Sequence, residues 1–443
     1  MTAKEAAPAP GEAKRSLVRI RYGRGALALA IPGMRLAGVF RPGEHAAGAR
    51  AGADPLADAV SGAASGIAEA VSGRRVSLLL ADGTREEPRR ELAAALAPLL
   101  RGARSILPVI ATGSHDPGSP WQLRTAREAR ELLEGQGLPV REPYVHDPFD
   151  AERLDLGLTA RGTPVRIAPR PMDADVLFVV SDMKPHYFAG YSCPPKYVFP
   201  GLAPLASIES NHAMTLEPAS EGGRHPWHPD PGRRTNPLAA DYCEAYGRAV
   251  GERPAFALAF GWSGDRVLWA DAGPLREVTA RGIAMVDRHC GVTVEPSRHV
   301  IVSPGGYPND IDLYIGQRAL ELTSAAMADG ADVLFLCACE EGAGPAHAVP
   351  AFIEPLHGDL ERVAAGPEGP YRLYAHKAVR FARLILRLGS LGMHSTLAAG
   401  VLDGLPLTHE PDPQAVVDRW IARDPEARIM VLDGASRLSV VAA

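Results

Sequence analysis

Short apolar runs that stop abruptly at polar loops constrain this chain more than any other feature. Runs at 76–81, 105–111 and 176–180 end in Asp82-Gly83-Thr84-Arg85, Thr112-Gly113-Ser114-His115 and Ser181-Asp182. Helix-prone segments at 87–100 and 122–134 lie between them, with Gly135 as a natural stop for the second. Each run reads as a buried strand, and strands alternating with helices build a parallel sheet. In such sheets the loops beyond the carboxyl ends of the strands form the ligand crevice. Arg85, His115 and His186 all fall on or just past those ends.

The N-terminal segment 17–30 alternates about Gly23 and Gly25 and reads as a hairpin. Gly291 and Pro296 mark a junction at 289–298, after which the pattern restarts. A strand at 299–303, a Gly-rich loop, a helix at 313–328, a strand at 333–338 and a second glycine-bearing loop at 340–344 follow. The expectation is an α/β protein of two α/β domains, with mostly parallel sheets and an active-site cleft between them. Its parts are a disordered tail (1–16), an N-terminal catalytic and cofactor-binding domain (17–290) and a C-terminal α/β domain (298–425). Terminal strands in 426–443 can return to the N-terminal domain.

At 443 residues, two domains is the natural prior. Hydrophobic residues at 46% and charged residues at 22% are those of a soluble globular enzyme. A net charge of −5 gives no basic footprint for nucleic acid. No uninterrupted apolar stretch reaches the roughly 18 residues a membrane span needs. The five cysteines form no CxxC pair, and residues 1–16 carry no apolar signal core, so a reducing cytoplasm is expected. Cys337 and Cys339 read as core thiols.

Only five of the 47 basic Lys and Arg side chains are lysine. A composition so biased keeps lysine where arginine will not serve, because an amine can be neutralised and can form a covalent bond. Lys196 follows His186 by ten residues and precedes His212 by sixteen, in the turn-forming Tyr191-Ser192-Cys193-Pro194-Pro195-Lys196. Two imidazoles flanking such a lysine suggest a cofactor site. His115 and His186, on loops at the same end of one sheet, can face a substrate from opposite sides, as inversion of a stereocentre requires. A loop histidine can equally be bonded to backbone, and the eleven histidines other than these two and His212 are read that way. His212 alone is a weak metal signal, since protein zinc sites need three or four ligands. If it binds a metal, the remaining ligands must come from something other than protein side chains. Arg85 can clamp a carboxylate in bidentate fashion. The Ser303-Pro304-Gly305-Gly306 loop can cradle an anion or be an ordinary turn.

Taken together these segments resemble the lactate racemase family, racemases and epimerases that use a nickel-pincer nucleotide. The resemblance runs from the hairpin to Gly344, through the Asp82 and His115 loops, Pro185-His186, Lys196, Pro200-Gly201, His212, Ser303-Pro304-Gly305-Gly306-Tyr307-Pro308, Leu313-Tyr314 and Cys339-Glu340-Glu341-Gly342. It implies that Lys196 carries the nucleotide through a thioamide, and that nickel takes a carbon and two sulfurs from it with His212 as the protein ligand. It implies further that His115 and His186 are the acid/base pair and that Arg85 orients the substrate carboxylate. Asp82, Thr84 and Tyr314 would hold the cofactor or its loop. The implied chemistry is hydride removal from C2 of a 2-hydroxy acid, a planar 2-oxo acid, and hydride return to either face. The implied partners are the small-molecule substrate and the enzymes that make the cofactor.

Two places depart from the family pattern. Cys193-Pro194-Pro195 replaces a glycine-rich approach to the lysine, and proline cannot adopt the positive φ that glycine allows. After Tyr314, the lactate-specific members carry Gln and then Lys at the positions of Ile315 and Arg318. Ile315 removes an amide and Arg318 keeps a cation, so the expected substrate is a 2-hydroxy acid larger or more apolar than lactate. The competing readings are a hydrolase or lyase that uses the two histidines without the pincer, and a non-catalytic nucleotide-binding sensor.

Overall fold

The computed structural model describes residues 15–44, 54–85, 87–264 and 266–443. Most of the expected tail, 1–14, lies outside the described residues, and Arg15 already opens a strand. The chain divides into two compact units. One holds residues 42–291 and 366–376, and the other holds the N-terminal residues through 41 together with 292–365 and 377–443.

The first unit is built on a six-stranded sheet in the order Arg266–Pro274, Ala255–Ser263, Val176–Asp182, Arg75–Ala81, Ser105–Ala111, Tyr144–Val145. All neighbours are parallel except the edge pair Ala255–Ser263 and Arg266–Pro274. Val176–Asp182 is buried at every position, the pattern of a central parallel strand covered on both faces. Helix Arg89–Leu100 lays Leu92, Leu96, Leu99 and Leu100 on one side of this sheet, within a core shared with Val76, Leu78, Phe178 and Leu258. The three apolar runs are thus strands, and their polar endings lie at one edge of the sheet.

The second unit has an all-parallel sheet in the order Thr408–His409, Ser390–His394, Met327–Leu336, Ser297–Ser303, Ile429–Asp433, Leu36–Phe40. The antiparallel hairpin Arg15–Tyr22 and Gly25–Pro32 belongs to this unit. The chain's return therefore differs in direction from the expected one: the N-terminal segment joins the C-terminal sheet. Gly306, at φ +74, packs so closely on the hairpin that a Cβ would sit 2.9 Å from the Gly23 carbonyl oxygen. Asp310 seals the same contact by accepting from the Gly23 amide at 2.7 Å.

The helix expected over 313–328 is instead broken. Leu313–Gly316 and Arg318–Leu322 are separate short helices, Ser324–Ala326 is a 3-10 turn, and the strand begins at Met327. Packing overrides propensity here. Gly316 leaves room for the Cys337 sulfur, and the Thr323 hydroxyl donates back to the Ala319 carbonyl, competing with helix continuation. Among the described residues no helix is long and apolar enough to cross a membrane.

Candidate active site

In the first unit the loop after Arg75–Ala81 places Asp82 among three partners. His115 Nδ1 lies 3.2 Å from Asp82 Oδ2, and Arg85 Nε lies 3.7 Å from the same atom. The Thr84 amide donates to Asp82 Oδ1 at 2.8 Å and the Thr84 hydroxyl donates to it as well. Burial alone would push the Asp82 carboxyl up, but His115 and Arg85 beside it more than reverse this, holding it well below the usual carboxylate range. His115 and Arg85 keep 34% and 33% of their side-chain surface while Asp82 keeps 8%, so the imidazole and the guanidinium can meet a ligand and the carboxylate cannot.

The loop that carries His115 is tied to the lysine turn, because the Gly113 amide donates to the Gly201 carbonyl at 3.1 Å. Lys196 sits in a one-turn helix, Pro195–Val198, within the segment its sequence reads as turn-forming. Pro194 already has φ −50 and ψ −45, and Pro195 takes the first helical position, where a missing N–H costs nothing. The two prolines therefore preset the turn. Cys193 anchors its start, fully buried with its sulfur 3.4 Å from the Tyr242 hydroxyl and 3.7 Å from His225 Nε2.

Burial pushes the Lys196 amine down to about 8, with Arg85 adding to the effect and Cys193 opposing it. His212 ends helix Leu205–His212, where burial and then the Lys196 charge push its imidazole down to about 3. A neutral imidazole is a competent metal ligand, and an amine near 8 is partly unprotonated at neutral pH. Among the described residues no group of three or more His, Cys, Asp or Glu could hold a metal ion. The pair of Lys196 and His212 fits a metal that brings its other ligands on an attached organic group.

His186 lies in a short hairpin, Lys184–His186 with Gly190–Ser192, directly after Val176–Asp182. The turn needs Gly190: at φ +76, a Cβ there would sit 1.8 Å from the Arg224 carbonyl oxygen. The Ala189 amide donates to His186 Nδ1 at 3.3 Å. The Tyr187 ring stacks on His186 at 5.2 Å, and Phe188 meets it edge-on at 4.4 Å. Phe188 also meets His212 edge-on at 5.5 Å, so one aromatic ring bridges the two imidazoles.

Tyr314, Ile315 and Arg318 belong to the second unit. Asp312 caps the helix of Tyr314 and Ile315 by accepting from the Ile315 amide at 2.6 Å, and Arg318, in the next short helix, donates to Asn309 at 3.4 Å. Lys377 Nζ lies 4.0 Å over the Tyr314 ring and donates to the Tyr314 carbonyl at 2.7 Å. Burial pushes Lys377 down to about 7, against the opposing pull of Glu321. Sequence reasoning passed over Lys377 as well as Phe188, Tyr374 and His376. The rarity of lysine is a signal that could have raised the first; the others carry no local mark.

The lactate racemase N-terminal domain family matches residues 22–223. A lactate racemase from Thermoanaerobacterium thermosaccharolyticum is 26% identical over 342 residues, 74% of this chain and 75% of that one. Another, from Lactiplantibacillus plantarum, is 22% identical over 255 residues, 56% of each chain. The lactate racemase apoprotein structure from T. thermosaccharolyticum superposes with a TM-score of 0.79 at 22% identity, covering 97% of this chain and 100% of that one. A Thermotoga maritima protein of 14% identity superposes with a TM-score of 0.62 over 88% and 99%. The structural likenesses speak for the fold, and the sequence matches speak for the lineage. The chain is an isomerase of the racemase and epimerase class. Its likeness is to lactate racemases, through the N-terminal domain matched at residues 22–223.

Proposed function

We propose that this protein inverts the C2 stereocentre of a 2-hydroxy acid, with His115 and His186 as the acid/base pair. The observation that carries the reading is the pairing of His115 Nδ1 with the buried Asp82 carboxylate. A carboxylate there keeps the ring proton on Nδ1 and leaves Nε2 able to take the proton of a substrate hydroxyl. His186 is held in the opposite sense: its Nδ1 accepts from a backbone amide, so its neutral ring carries the proton on Nε2. One ring is set to accept and the other to donate, which suits attack and return on opposite faces.

Arg85 meets Asp82 through Nε, so its two terminal nitrogens are the ones a substrate carboxylate would take. Lys196 would hold a nickel-pincer nucleotide covalently, and His212 would be its nickel ligand, with Asp82, Thr84 and Tyr314 supporting it. When bound, that group supplies an acceptor for the Cα hydride of the substrate. Ile315 favours a substituent larger or more apolar than the methyl of lactate, and Arg318 retains a cation for an anionic substrate. The test is racemisation of a panel of chiral 2-hydroxy acids by protein produced with the cofactor-synthesis enzymes. Preference for lactate would refute the substrate assignment, and full activity in Lys196→Ala would refute the cofactor assignment.

A further inference from the structure

Residues 366–376 leave the second unit and pack within the first as a strap. The Leu373 amide donates to Glu209 at 2.8 Å on the helix that ends in His212. Beyond this anchor the strap touches the surroundings of each candidate imidazole by a separate route. The Tyr374 phenol lies near Ser114, the residue before His115. His376, 3% exposed, bridges two tyrosines: its Nδ1 is 2.6 Å from the Tyr371 hydroxyl and its Nε2 is 3.3 Å from the Tyr187 hydroxyl. Tyr187 is the ring stacked on His186. Whichever nitrogen of His376 carries the proton, one tyrosine accepts and the other donates, so the bridge is satisfied in either tautomer.

Tyr374 has φ +77, a left-handed conformation that a bulky aromatic side chain rarely adopts. Strain of this kind persists only where surrounding contacts over-determine it, and such residues cluster at functional sites. Here the contact it secures is the one to the His115 loop.

We infer that the strap is a positioning element for proton transfer, with Tyr374 fixing His115 through Ser114 and His376 fixing His186 through Tyr187. This rests on the reading of those two rings as the acid/base pair. Neither strap residue is assigned a proton of the substrate; each acts through another group.

The test is carried out on the full-length, cofactor-free protein with carbon-13-labelled histidine, reading the ring signals of His115 and His186 by NMR. Tyr374→Phe deletes one hydroxyl and should move the His115 signals while leaving those of His186. His376→Gln should do the reverse. Tyr374→Gly, which accepts a positive φ, should melt no lower than the wild type and reproduce the His115 displacement. Either single variant leaving its own ring unmoved, or moving both rings alike, overturns the inference. In cofactor-loaded enzyme each variant should lower kcat by roughly 5-fold with KM changed less than about 2-fold, less than the loss of an acid/base group itself. If the NMR pattern holds and kcat does not fall, the strap positions the rings but the acid/base reading fails.

Discussion

Asp82 and His115 form a pair of buried carboxylate and half-buried imidazole, 3.2 Å apart, on the loops that follow two adjacent parallel strands. The register that pairs Ala81 with Ala111 sets the two loops side by side, so the sheet itself brings the residues together. A partner that is buried fixes the ring, and a ring that is partly exposed can reach a substrate.

Replacing Asp82 with Asn keeps the size and removes the charge that holds the His115 tautomer. The expected loss in kcat is about 100-fold or more, with substrate KM little changed. Stability should respond to pH in a defined direction. The folded carboxyl is depressed, so its contribution is fully present above about pH 4 and is lost as pH falls toward the folded value. Melting temperatures of wild type and Asp82→Asn should therefore converge as pH drops below that range; parallel curves would show the carboxylate is not the stabilising partner.

Lys196 and His212 should separate attachment from metal retention. Intact-mass measurement on Lys196→Ala should show no cofactor increment, whereas His212→Ala should keep the increment and lose nickel by elemental analysis. Because burial brings the Lys196 amine to about 8, its acylation by an activated ester should rise through about pH 8. Peptide mass spectrometry gives that profile, and a midpoint near the ordinary lysine value would contradict the burial.

Gly190→Ala tests the hairpin that presents His186. A Cβ would collide with the Arg224 backbone and force an unfavourable φ, at a cost of about 2 kcal/mol or more. The denaturant midpoint measures it; an unchanged midpoint would mean the turn is not confined in this way.

Ile315→Gln restores an amide at a half-buried position of the second unit. The ratio of kcat/KM for lactate over a bulkier 2-hydroxy acid should rise by roughly 10-fold. No change in that ratio would place substrate selection elsewhere.

The strands that carry Asp82, His115 and the His186 hairpin were legible because a strand buried on both faces reads as an unbroken apolar run. Lys196 was legible through composition, since an arginine-rich chain that keeps a lysine invites a chemical reason. The helix over 313–328 misread because its periodicity gives no hint that Gln317 is buried or that Gly316 must clear the Cys337 sulfur. Tyr374 and His376 were illegible for a different reason. Their partners Ser114 and Tyr187 lie far earlier in the chain, and local pattern holds no record of such a meeting.

The strand Leu36–Phe40 pairs with Ile429–Asp433, so one edge of that sheet is synthesised long before the neighbour it needs. The early strand, and the hairpin before it, must wait for that neighbour while everything between them is translated. A nascent chain released before that neighbour is made would retain an unpaired, apolar strand, a species that quality control has reason to recognise.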